Sequence, residues 1–248
     1  MDADEFCWRV ERVCHLAWPS LNEKVHGDWV FRFSDGLSRR GNSANPLRMT
    51  HDIAPMLMEA EAAYPRAGLP TIVRVPSMLP AEVETALHDR GYRAEGETLT
   101  LYCDLPATPM RRDPDVTVLA RPDEAWLARM WEMKDLKKQE CRTYRAIVGA
   151  LEIPVAFMAL NISGEMVAMG YAALHDCLLC VESLITAPHQ RGRGFAGRLV
   201  GAMLAWGIEH GAAGACLQVA ADNEIALKLY RGMGLQRELY RYRYWRAE

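Results

Sequence analysis

Three glycines and three arginines crowd a single turn in the stretch ITAPHQRGRGFAGRLVGAML, which begins at Ile185. Gly192, Gly194 and Gly197 spell G-x-G-x-x-G; read from Arg191, the same residues spell R-x-x-G-x-A. Gly192 and Gly194 let a backbone approach a ligand with no Cβ in the way. The turn feeds a helix predicted from Phe195 to about Glu209, where Leu199, Met203, Leu204 and Ile208 recur at helical spacing. Unpaired N–H groups and about half a positive charge point outward from such a helix start. Arg191, Arg193 and Arg198 add positive charge, so a pyrophosphate is the natural occupant.

Other chemistry shares these residues. A dinucleotide site wants its first glycine directly after the strand and more strand–helix units downstream. Here APHQR intervenes and only about fifty residues follow Gly197, although Asp222 falls near where an acidic ribose ligand could stand. A kinase loop needs H-R-D and D-F-G downstream, and neither occurs. A glycine-relieved turn that only caps a helix stays open. The seven cysteines are scattered, which fits reduced thiols. Cys177 and Cys180 form C-x-x-C, but no second pair or H-x-x-x-H accompanies them, and on a strand the two would face opposite ways. No metal is expected.

The elements that must position the turn can be read on either side of it. PDEAWL places Asp123 as the N-cap of a helical region reaching about Ala150, after a short strand at Val116–Ala120. PVAFMALNI and MVAMGYAAL, joined by SGE, form a hairpin, and LLCVESLIT is the next strand. ACLQVA, a helix from Asn223 to Met233 and the strand LQRELYRYRYW complete the chain. In that last strand tyrosines are expected on one face and arginines on the other, not a nucleic-acid platform. DLPATPMRRDPD, with three prolines, reads as a linker between residues 1–104 and 116–248.

The two parts look alike. A shift of about 143 residues brings Arg90-Gly91-Tyr92 onto Met233-Gly234-Leu235, and NSANP near LITAP. The helix Asp52–Tyr64 then lies over the helix after the glycine turn, but LRMTHDIAP has no glycine where RGRGFAG stands. The phosphate-type turn therefore belongs to the second copy alone. Half of the 248 residues are hydrophobic, a quarter are charged and the net charge is -3, as in a soluble protein with a sizeable core and no global pull toward nucleic acid or membrane. The first twenty residues carry charges throughout, and no apolar run approaches membrane-spanning length, so a cytoplasmic location is expected.

LITAPHQRGRGFAGRLV resembles the acyl-CoA-binding motif Q/R-x-x-G-x-G/A of the GCN5-related N-acetyltransferases (GNAT), carried by Arg191, Gly194 and Ala196. NEIALKLYRGMGL is similar to the same superfamily's N-x-x-A-x-x-L-Y-x-x-x-G-F, with Leu235 in place of Phe. The resemblance covers roughly Val116 to Trp245, and WVFRFSDGLSRRGNSANPL resembles the first half of a tandem subgroup with a degenerate N-terminal copy. It implies an α/β (α+β) chain of two tandem GNAT-like domains, each a mixed, mostly antiparallel sheet flanked by helices. It also implies transfer of an acetyl group from acetyl-CoA to a primary amine.

An alkyl amine is about 99.9% protonated at neutral pH, so a base must free it. The resemblance assigns that role to Glu182, nine residues before Arg191, and assigns protonation of the leaving thiolate to Tyr230. It places the cofactor's pantetheine arm along Leu184, Ile185 and Thr186, its pyrophosphate on Arg191, Gly192, Arg193, Gly194, Phe195, Ala196 and Gly197, and a further contact at Asn223 and Tyr230. Under the repeat shift Tyr230 falls on Leu87 and Asn223 on Pro80, so one CoA site is expected. Arg39, Arg40, Asn42 and Ser43 are expected in a plain hairpin turn with solvated charge, a substrate contact being the other option. Trp126, Trp131 and Met133 are expected in the core. The acceptor is a small-molecule or peptide amine, and the chain a monomer or homodimer. Two alternatives are a non-catalytic acyl-CoA sensor and a dinucleotide oxidoreductase.

Overall fold

The computed structural model describes residues 2–108 and 110–248. The first half contains α1 (Ala3–Ala17), β1 (Asn22–His26), β2 (Trp29–Phe33), β3 (Ala44–Pro46), α2 (Ala54–Arg66), β4 (Ile72–Pro76), α3 (Ala81–Asp89) and β5 (Tyr92–Asp104). The second contains β6 (Val116–Leu119), α4 (Glu124–Lys134), α5 (Lys138–Gly149), β7 (Val155–Ile162), β8 (Glu165–His175), β9 (Leu178–Thr186), α6 (Phe195–Glu209), β10 (Gly214–Ala220), α7 (Glu224–Gly232) and β11 (Arg237–Ala247). Between β5 and β6 the described residues form no helix or strand; residue 109 lies outside them.

The local signals act as the physics of termini requires. Asp123 caps α4 by accepting from the Trp126 N–H at 2.8 Å. Asp135, at φ 53°, ends α4 in the left-handed region, and the Glu140 carboxylate accepts from Lys137 N–H to start α5. Gly91 and Gly234, at φ 87° and 97°, make the same turn before β5 and β11. The repeat is thus visible as matching α3–β5 and α7–β11 units.

The two sheets join edge to edge in the order β1-β2-β3-β4-β11-β5-β10-β9-β8-β7-β6. Each half lends its last strand to the other. β5 pairs antiparallel with β10 from Gly214↔Asp104 to Ala220↔Thr98, while β11 pairs with β4 from Tyr242↔Pro76 to Arg246↔Ile72. The exchanged strands also pair with each other along nearly their whole lengths. Neither half could complete its sheet alone. Only β3–β4 and β9–β10 run parallel among the described strands.

Three cores fill the layers. α1, α4 and α5 cover one face of the second half's sheet, and α6 and α7 cover the other. α2 and α3 pack under the first half's sheet. Leu199, Val200 and Met203 on α6 are wholly buried, each contributing about 1.5–3 kcal/mol. Tyr240, Tyr242 and Tyr244 are buried on one face of β11, while Arg241 and Arg243 on the other pair with Glu97. α1 belongs to the first half by sequence, yet it packs on β8, β9 and β10 of the second. A buried Glu11–Arg74 ion pair with a further bond from the Tyr240 hydroxyl anchors it at the junction. No described helix is long and apolar enough to cross a membrane.

Candidate active site

β9 and β10 stay paired only through Leu178–Cys180 and Gly214–Cys216, then splay. The divergence starts where β9 bulges. Met169 faces Ile185 but Tyr171 faces Glu182, so Ser183 and Leu184 together oppose Gly170. Ser183 takes φ 53° to do this. A Cβ on Gly170 would stand 2.9 Å from Met203 Cε, 3.0 Å from the Glu182 carbonyl oxygen and 3.2 Å from Leu184 Cα. Beyond the bulge Ile185 and Thr186 pair with β8 on one side, and no β10 residue pairs with Leu184–Thr186 on the other. An extended amide-bearing ligand can pair with that edge as an added strand would.

The glycine turn lies at the open end of the splay. Gly192 and Gly194 take φ 75° and 79°, and a Cβ on either would meet no protein atom within 4 Å. They are glycines for the left-handed backbone, and the space above them is open. Gly194 is the N-cap of α6, and Arg198 N–H is the donor that bonds back to its carbonyl. Phe195, Ala196 and Gly197 precede the first full turn, so their N–H groups have no carbonyl of the helix to meet. Gly197 has another task, since its Cβ position faces Leu229 and Met233 of α7. Arg193 lies over the Phe195 ring at 5.0 Å and bonds to Gln190, and Arg191 bonds weakly to Thr186 O. Arg198 corrects the expectation of a third phosphate charge. Its guanidinium is held by Asp113 and Asp115 at 2.6–2.8 Å, pinning the inter-half segment to α6.

Glu182 lies on the opposite face, in the same file as Cys180. It is 8% exposed, and its Oε1 accepts from Arg40 Nη2 at 2.8 Å. Arg40 also donates to Gln218 Oε1 at 2.8 Å and lies 5.5 Å over Trp18. Its side chain is only 15% exposed, so the expected solvated charge is instead a buried partner of the candidate base. Asn42 builds the loop that delivers it: its Oδ1 accepts from Ser34 and Gly36 N–H, and its Nδ2 donates to Ser38 O. Ser43 is buried and accepts from Asn45, whereas Arg39 pairs at the surface with Glu95. Burial pushes the Glu182 carboxyl up, and Arg40 and Lys134 partly oppose it. Lys134 of α4 is pulled below its ordinary value by burial.

Tyr230 is buried on α7, and its hydroxyl is pushed up to about 12, first by burial and then by the Glu182 charge. No hydrogen bond from it occurs among the described residues. Asn223 spends its side-chain oxygen on capping α7, accepting from Ala226 N–H at 3.1 Å, which leaves its amide hydrogens exposed to solvent. Trp126 is core, donating to Met158 O, and Trp131 and Met133 pack at its edge. In the first half, Leu87 is wholly buried and Pro80 caps α3, so neither can act as Tyr230 or Asn223 would.

Beside Glu182, three buried thiols from distant segments converge. Cys14 Sγ lies 3.9 Å from Cys180 Sγ and 4.0 Å from Cys216 Sγ. Their separations in sequence hide them from any motif. Cys177 is exposed and apart, because it lies in the left-handed turn before β9 and not on the strand itself, as the expected alternation requires.

A parallel pair splayed at a bulge, a glycine turn at the mouth and a tandem repeat of the unit define the GNAT N-acetyltransferase class. The chain belongs to the family described as "Probable histone acetyltransferase Rv0428c C-terminal", whose model matches residues 8–245. It is 23% identical over 234 residues to "Uncharacterized N-acetyltransferase YobR" of Bacillus subtilis (strain 168), covering 91% of this chain and 93% of that one. Its fold is similar to that of the GCN5-related N-acetyltransferase from Kribbella flavida, with TM-score 0.71, 14% identity and coverage of 99% and 95%. The tandem GNAT protein from the clavulanic acid biosynthesis pathway matches with TM-score 0.61, 13% identity and coverage of 83% and 75%.

Proposed function

We propose that the protein transfers an acetyl group from acetyl-CoA to a primary amine, small molecule or peptide, at one site in its second half. The observation that supports this is the glycine turn at the start of α6 beside the strand edge Leu184–Thr186 that β10 leaves unpaired, with Glu182 on the same strand and Tyr230 feeling its charge from α7. Residues Arg191–Gly197 would hold the pyrophosphate, and the strand edge would hold the pantetheine amides. Glu182 takes a proton from the ammonium, directly or through water, and the freed nitrogen forms its bond to the thioester carbon. The C–S bond then breaks, Tyr230 gives its proton to the thiolate, and the nitrogen's remaining extra proton passes through water to restore Tyr230. Arg40 fixes the Glu182 carboxylate, which gives the first half a part in the site.

The Arg40 bond also favours a second reading, a sensor that binds acyl-CoA without transfer, because a carboxylate already held by a guanidinium is a weaker base. Free CoA appearing from acetyl-CoA in the presence of a panel of amines supports transfer. Saturable acetyl-CoA binding with no CoA release from any amine supports the sensor.

A further inference from the structure

We propose that Cys14, Cys180 and Cys216 form a binding site for a thiophilic divalent cation of the zinc type. The thiols come from α1, β9 and β10, and each is at most 1% exposed. All three sulfurs lie within 4.8 Å of one another. An ion at the centre of such a triangle sits about 2.3 Å from each sulfur, the zinc–thiolate bond length. Glu182 Oε1 lies 3.9 Å from Cys180 Sγ, beside the three sulfurs and not among them, and a water would complete the tetrahedron.

Charge supports the same ion. Three thiolates and the carboxylate carry four negative charges, zinc brings two positive ones, and Arg40 and Lys134 face the group with two more. A buried site close to neutral avoids the cost of an uncompensated charge. Each thiol releases its proton to solvent as the ion enters. The ion ties α1, from the first half, to the two strands whose splay forms the cleft. Its positive charge beside Glu182 favours the ionised carboxylate and so weakens it as a base; that consequence rests on Glu182 as the base, while the site itself does not.

The full-length reduced protein, stripped of metal, is titrated without oxygen first with Co2+ and then with Zn2+. One equivalent of Co2+ should raise sulfur-to-cobalt charge-transfer absorption with tetrahedral d–d bands, and Zn2+ should bleach them. Cys14→Ala and Cys216→Ala should lose the bands, and Cys177→Ala should keep them. A second readout does not depend on the variants folding. In mild denaturant, one equivalent of Zn2+ should slow alkylation of Cys14, Cys180 and Cys216 but not of Cys177 in the wild-type chain. No charge-transfer band at one equivalent, a band that survives both substitutions, or alkylation unchanged by zinc overturns the site. Inhibition of CoA release that a chelator reverses in wild type, and that Cys14→Ala lacks, supports the link to Glu182; equal inhibition of both removes that link.

Discussion

At the scale of single residues, the proposed tasks fall on Glu182 and Tyr230, two groups that the sequence already marked. Tyr230→Phe and Glu182→Gln should leave acetyl-CoA affinity nearly intact and cut kcat by about 100- to 10,000-fold, measured by CoA release. Full rates in both would remove their roles. Tyr230 has a pH signature as well. An ordinary tyrosine loses its proton near pH 10, but this one is pushed up to about 12, so the donor form persists below that and is lost above it. Its titration should therefore cause no fall in kcat from neutrality to about pH 10. Arg40 is the residue that could not be read. Its partner lies 142 positions away on β9, and nothing local distinguishes it from Arg39, which does meet solvent. Removing it leaves the buried Glu182 without its hydrogen-bonded cation, so Arg40→Ala should cost about 3–5 kcal/mol in urea unfolding. Arg40→Lys, which keeps the charge, should recover part of both the stability and kcat; no recovery would mean that the fork geometry is what matters.

At the scale of elements, the turn and the bulge do the positioning. The turn was legible because glycines before an amphipathic helix are a local signal. The bulge was not, because Gly170 sits unremarked in an apolar strand and its meaning depends on β9 and on Met203 of α6. A Cβ there presses on two backbone atoms that cannot rotate away. Gly170→Ala should lose about 1–3 kcal/mol of stability by overpacking and weaken acetyl-CoA binding as the splay shifts. Unchanged melting and unchanged affinity would show that the bulge is soft. Helix and strand boundaries followed from caps and periodicity, as at Asp123 and at Phe195–Glu209, where the expected and observed elements coincide.

For the whole molecule, the repeat was legible but the exchange of β5 and β11 was not. Both strands fit either sheet by pattern, and only the three-dimensional closure assigns each to the opposite half. The exchange joins the halves in one sheet with α1 clamped across it, so they should unfold as one unit. Glu11→Ala leaves the buried Arg74 without its carboxylate and should cost about 3–5 kcal/mol, lowering both halves' unfolding together in a single transition. Two separate transitions would show that the halves fold alone. The most direct test of the central claim is calorimetric titration of the whole chain with acetyl-CoA and, separately, with NADH. One acetyl-CoA per chain, lost in Gly194→Val, with no heat from NADH, is the expected result. No acetyl-CoA heat, or saturable binding of NADH in its place, would contradict it.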